Sequence, residues 1–119
     1  MLVAVLGASP NPARYSNKAI RMLLSHGHSV IPVNPGYDRI EGLSVVPNPS
    51  ELPQGVHTIT VYVGPQHINP LLDGIIAAKP ARIIANPGAE SSLLKQRAEL
   101  AGITYVEACT LVLLSTGQF

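Results

Sequence analysis

The residues best suited to chemistry lie near the start of the chain, in Gly7-Ala8-Ser9-Pro10-Asn11-Pro12-Ala13-Arg14-Tyr15-Ser16. Small residues in such a loop leave backbone N–H groups open to a ligand, and a glycine lets the ligand approach the main chain closely. A helix starting at the loop's end adds the positive end of its dipole, and the combination seats a phosphate. Arg14 and Lys18 add cationic charge to that seat. The expected chemistry is therefore anion binding. Catalytic residues are not expected, because Ser9 and Ser16 show no base-and-orienter partnership. His26, His28, His57 and His67 have no ligand spacing, so no metal site is expected. The first three belong at the far end of the strands, and only His67 falls on the side of the loop. Cys109 also falls on that side, where it is read as a small buried hydrophobe or as a thiol facing a ligand.

These residues need a scaffold, and the apolar runs predict one. Leu2–Leu6 reads as a buried parallel strand emptying into the loop. Ser16 is the expected N-cap of a helix over residues 17–26, with Tyr15 and Ile20 as a hydrophobic staple. Ala19, Ile20, Leu23 and Leu24 form its apolar stripe, and Gly27 ends it. A second strand, Val30–Val33, runs into Asn34-Pro35-Gly36. Residues 34–55 carry Pro35, Pro47, Pro49 and Pro53, which forbid a long helix. They read as an irregular crossover with one turn at residues 50–52 and with Leu43, Val45, Val46 and Leu52 buried. The remaining order is a strand over 58–63, a helix from about Asn69 to Lys79, a strand over 81–85, a helix over 91–101 and a strand over 103–106. In the later helices Ile68, Leu71, Leu72, Ile75 and Ile76, then Leu93, Leu94, Ala98 and Ala101, are the inward residues. An apolar tail continues to Leu114.

Five apolar strands alternating with helical segments predict a single α/β domain over residues 1–119, a Rossmann-like doubly wound parallel sheet in the order 3-2-1-4-5. Ligands of such sheets bind outside the carboxyl ends of the strands. Those ends carry Gly7-Ala8-Ser9, Asn34-Pro35-Gly36, Gly64-Pro65 and Asn86-Pro87-Gly88, a rim rich in exposed backbone.

Composition narrows the partners. A net charge of +1 supplies no basic patch for nucleic acid, and no apolar run is long enough to span a membrane. The lone cysteine and the absence of a signal-peptide pattern lead to an expectation of a cytoplasmic protein. Charged residues make up only 13% of the chain, which fits a homo-oligomer or a protein partner covering part of the surface.

A dinucleotide cofactor is the obvious ligand for this fold, but the Gly-x-Gly-x-x-Gly fingerprint is missing. Ser9 and Pro12 stand where its later glycines belong, and Asn34 stands where an acid would hold the ribose. The sequence instead resembles the CoA-binding domain family, small proteins similar to the N-terminal domain of the succinyl-CoA synthetase alpha subunit. The resemblance rests on Val5-Leu6-Gly7-Ala8-Ser9-Pro10, Arg14-Tyr15-Ser16, Val30-Ile31-Pro32-Val33-Asn34-Pro35, Asn86-Pro87-Gly88-Ala89-Glu90 and Cys109. It implies CoA or an acyl-CoA along the strand ends. Gly7, Ala8, Ser9, Pro10 and Asn11 would then follow the phosphates, with Arg14 and Ser16 as side-chain contacts. Asn34 and Pro35 would flank the ribose or adenine, Val63 and Gly64 would sit against the ligand, and Asn86, Pro87 and Gly88 would lie near the pantetheine. Tyr37 replaces a lysine of the synthetase domain, and Ile84-Ala85-Asn86 stands where many relatives carry Trp-x-Gln. The synthetase's phosphohistidine belongs to a second domain, so the resemblance implies binding without ligase activity by this chain alone. The alternatives are an NAD(P)-binding enzyme or redox sensor, the CoA-binding part of a ligase completed by another chain, and an interaction scaffold.

Overall fold

The computed structural model describes residues 1–119. The chain runs β1 (Leu2–Leu6), α1 (Tyr15–Ser25), β2 (Ser29–Val33), β3 (Arg39–Ile40), β4 (Leu43–Ser44), β5 (Thr58–Val61), α2 (Leu72–Ala77), β6 (Arg82–Ala85), α3 (Ser92–Leu100), β7 (Thr104–Glu107) and α4 (Thr110–Ser115). Single turns of 3₁₀ helix cover Pro49–Glu51 and Asn69–Leu71. None of the helices is long and apolar enough to cross a membrane.

The main sheet is parallel and five-stranded, in the order β2-β1-β5-β6-β7, so the Rossmann-like α/β class stands. Counted over the five main strands alone the order is 2-1-3-4-5, which corrects the expected 3-2-1-4-5. The reason lies in residues 34–57. After the β3–β4 hairpin the chain returns along the outer edge of β2, where the Val46 N–H donates to the Pro32 carbonyl and the Asn34 N–H donates to the Val46 carbonyl, each at 3.1 Å. That edge is occupied, and the next main strand pairs with the free side of β1, Val3 facing Thr58 and Leu6 facing Val61.

Side chains of β1 alternate between two cores, as a strand buried on both faces requires. Ala4 and Leu6 join Ile59, Val61, Ile75, Ile83 and Leu94 beneath α2 and α3. Val3 and Val5 join Ile20, Leu23, Ile40 and Leu114 beneath α1, the hairpin and α4. Several local expectations change. Arg14, not Ser16, is the N-cap of α1, with extended backbone and no side-chain cap, and Ser16 is buried in the first turn. Leu24, Leu93 and Ala101 face outward. In the crossover, Ile40 and Pro49 are the buried points, while Leu43, Val45, Val46 and Leu52 are half-buried. Gly74 lets α2 lie on the Pro49–Glu51 turn, since a Cβ there would sit 2.8 Å from the Ser50 nitrogen.

A buried polar cluster docks α4 on the sheet. Asn86, just past β6, donates from Nδ2 to Thr60 Oγ1 (2.7 Å) and to the Val61 carbonyl (3.0 Å), and its Oδ1 accepts from the Thr110 N–H (2.8 Å). Thr60 and Thr110 share a hydroxyl hydrogen bond of 2.8 Å. Beside them the Tyr62 hydroxyl is buried without a partner. Burial pushes this phenol up to about 12, partly offset by the nearby hydroxyls of Thr110 and Thr60.

Two outcomes follow from this cluster. Asn86→Ala strands the buried Thr110 N–H and removes one donor each from Thr60 Oγ1, which keeps Thr110, and the Val61 carbonyl, which keeps the N–H of residue 86. Urea denaturation should show a loss of about 2–4 kcal/mol. The raised Tyr62 pKa contributes stability that is whole below the unfolded value of about 10 and is lost as pH rises through the folded one. Tyr62→Phe therefore flattens part of the alkaline limb of the stability profile and, by removing an unpaired hydroxyl, leaves neutral-pH stability equal or higher.

Candidate functional site

β1 and β5 are neighbours whose following connections leave in opposite directions, α1 over one face of the sheet and α2 over the other. Their carboxyl ends are the switch point of the sheet, where a crevice opens. Gly7 sits at this point with φ +84°, and a Cβ on it would lie 3.0 Å from Val63 Cγ2 and 3.2 Å from the Tyr62 carbonyl carbon. Only glycine meets both demands.

The crevice holds a cleft of about 630 Å³, the size of a small-ligand site. Among the residues expected from sequence, Gly7, Ala8, Ser9, Arg14, Ser16, Asn34 and Pro87 line it. A second cleft of about 270 Å³ is lined by Asn86, Pro87, Cys109, Tyr15, Tyr62 and Leu111. Tyr15, Tyr62 and Pro87 belong to both, so the two clefts form one groove from the start of α1 to the start of α4. Pro10, Asn11, Pro35, Val63, Gly64 and Gly88 line neither. Val63 packs under Gly7, Gly64 is covered by the Gln66 amide, and the Gly88 N–H donates to Glu90 Oε1 at 2.8 Å.

Hydrogen bonding within the loop decides which donors face a ligand. The N–H groups of Gly7 and Ala8 both donate to the Val33 carbonyl, at 3.1 and 3.2 Å, so these two are already committed. Asn11 donates its N–H to Ser9 Oγ, accepts from the Ala13 N–H at Oδ1, and accepts from the Arg14 N–H at its carbonyl. Its part is to shape the turn. The N–H groups of Ser9, Tyr15, Ser16 and Asn17 donate to nothing in the chain, and the first turn of α1 carries no acid. Ser9, Tyr15 and Ser16 also line the larger cleft, so theirs are the donors left for an anion, while Asn17 is fully buried.

Two asparagines hold this arrangement. Fully buried Asn17 donates to the Ser9 carbonyl (3.0 Å) and to Glu41 Oε2 (3.1 Å), and accepts from Arg21 Nε (2.9 Å). Asn34 donates to the Ala8 carbonyl and accepts from the Gly36 N–H, both at 2.7 Å. Of the residues lining the larger cleft, Arg14 alone is charged. The Lys18 ammonium lies 5.2 Å above the Tyr15 ring. His67 is exposed outside both clefts, and no cluster of His, Cys, Asp or Glu forms a metal centre.

The sequence reading missed Tyr37, Tyr62, Ala13 and Leu111 as lining residues, and gave Tyr15 only a packing role. Three of the four tyrosines, Tyr15, Tyr37 and Tyr62, line the larger cleft. Their signal was position: each stands just past a strand end or at the first helix start. Because the Tyr62 hydroxyl is buried, its ring is what faces the two clefts. Together the groove offers free amides, one guanidinium, aromatic faces and one thiol.

Comparisons with known proteins bear on what this groove holds. The family model described as a CoA binding domain matches residues 2–115. No curated protein matches the sequence. Similar solved structures include an uncharacterized protein at 37% identity and TM-score 0.94, covering 99% of this chain and 97% of that one. A conserved hypothetical protein from Pyrococcus furiosus is 38% identical with TM-score 0.79, covering 87% of this chain and 90% of that one. An acetyl-coenzyme A synthetase from Ca. Korarchaeum cryptofilum, solved with phosphate and ADP, is 25% identical with TM-score 0.76. It covers 90% of this chain, which spans only 25% of that protein. With the match running from β1 through α4, this chain belongs to the CoA-binding domain family.

Proposed function

We propose that the chain binds coenzyme A or an acyl-CoA as a non-catalytic, regulatory module. The diphosphate lies against the free amides of Ser9, Tyr15 and Ser16, with Arg14 beside it. The pantetheine follows the groove past Pro87, and its thiol end reaches the second cleft at Cys109. The observation that carries this reading is the start of α1, where unpaired donors and a guanidinium open into a cleft at the switch point of the sheet. Family membership supports CoA over other anions that such a seat would accept. Neither cleft contains a nucleophile with a base beside it, so binding without turnover is the simplest use of these groups.

A second reading, the CoA-binding part of a ligase completed by another chain, draws on the likeness to one quarter of the synthetase. Activity in that case requires the other chain.

Calorimetric titration of the ligand-stripped protein with CoA, acetyl-CoA, NAD⁺ and NADP⁺ tests the proposal. The expected outcome is micromolar binding of CoA or acetyl-CoA and none of the nicotinamide nucleotides. Arg14→Ala should weaken it about 10- to 100-fold, the worth of a charged hydrogen bond. Tight binding of a nicotinamide nucleotide alone rejects the reading.

The placing of Cys109 has its own check. On incubation with oxidised CoA, the Cys109 thiolate attacks one sulfur of the CoA disulfide, forms a mixed disulfide and releases one CoA thiolate. Intact mass spectrometry should show one CoA added to the wild type and none to Cys109→Ser. An unmodified wild type would remove Cys109 from the path of the thiol.

A further inference from the structure

The larger cleft has an uneven distribution of charge. At the α1 end stand the free amides and Arg14, enough for one diphosphate. At the β2 end the lining residues are Asn34 and Tyr37, both uncharged. The Asn34 side chain spends one amide N–H on the Ala8 carbonyl and one lone pair of Oδ1 on the Gly36 N–H, so what remains to it is neutral, one N–H and one lone pair. A neutral amide there suits a ribose hydroxyl and supplies no positive charge to hold a phosphate. The nearby charges do not alter this. Asp38 follows Tyr37 directly, the Arg39 guanidinium turns to the Gly42 carbonyl at 2.9 Å, and Glu41 is held by Asn17. Tyr37 is 49% exposed, leaving a ring face open at the same end.

We infer that the site recognises an adenosine diphosphate ester with unsubstituted ribose hydroxyls, the base resting on Tyr37 and the ribose beside the Asn34 amide. The 3′-phosphate of CoA finds no cation and adds nothing to its affinity. The inference rests on the reading that the ADP part of CoA occupies this cleft, and it names the ligand class more narrowly: 3′-dephospho-CoA binds as well as CoA.

The experiment is paired calorimetry of CoA and 3′-dephospho-CoA at two salt concentrations, with wild type, Tyr37→Ala and Tyr37→Lys. The expected wild-type affinities agree within about twofold at both salts, because a phosphate without a partner cation brings no screened attraction. Tyr37→Ala should weaken both ligands equally, by about tenfold, as loss of one base–aromatic stack does. Tyr37→Lys should create a preference for CoA of about tenfold that shrinks as salt rises. A wild-type preference for CoA of tenfold or more overturns the inference and leaves the binding proposal standing. Unchanged affinities in Tyr37→Ala overturn the stacking position. Binding of neither compound by the wild type overturns both proposals.

Discussion

The carbonyl of Val33, at the end of β2, accepts from the N–H groups of both Gly7 and Ala8. This shared acceptor turns the chain sharply as it leaves β1 and stops the strand from extending further. The turn works only because Gly7 takes a positive φ and has no side chain to meet Val63 and Tyr62. Everything in the groove depends on it. With the chain turned here, the next donors fall free, α1 begins at Tyr15, and the loop carbonyls of Ala8 and Ser9 face Asn34 and Asn17. The free donors thus come from backbone geometry at one junction, and side chains mainly hold that geometry still.

The free amides need stiff support because a buried or half-buried donor without a partner is costly. Asn11, Asn17 and Asn34 supply it, Asn11 within the loop and the other two by tying the Ser9 and Ala8 carbonyls to distant parts of the chain. At the other end of the groove Asn86 plays the same part, tying β5, β6 and the start of α4 together. The asparagines are suited to this because one short side chain offers both donors and acceptors. Asn86 lines the second cleft, but its amide is engaged inside the protein, so it holds the wall in place beside Pro87 and Cys109.

Much of this was legible in the residues. The apolar runs marked all five main strands within two residues, four of them ending near Gly or Asn-Pro-Gly, and the loop after β1 was readable as a wall of the cleft. The strand order was not, because it is decided by Val46 returning to the edge of β2, a pairing that involves a single bridge and leaves no periodic trace. Ser16 looked like an N-cap by type, but the turn at Asn11 starts the helix earlier and buries Ser16. Which amides remain free could not be read at all, since it depends on long-range acceptors such as Val33. Tyr37 and Tyr62 were hidden for a related reason. Their place in the cleft is set by the meeting of strand ends far apart in sequence.

Asn17 joins by hydrogen bonds two parts of the molecule that also meet in the core through Ala8 and Ile40. One of its N–H groups holds the Ser9 carbonyl in the loop, and the other holds Glu41 at the tip of the β3–β4 hairpin. The hairpin follows Tyr37 directly, so the segments at the two ends of the larger cleft are bonded to one buried side chain. A shift of the hairpin has to stretch or break a bond to the group that fixes the loop. Order at one end therefore favours order at the other, and a ligand that settles either end lowers the entropy still to be lost at its opposite end.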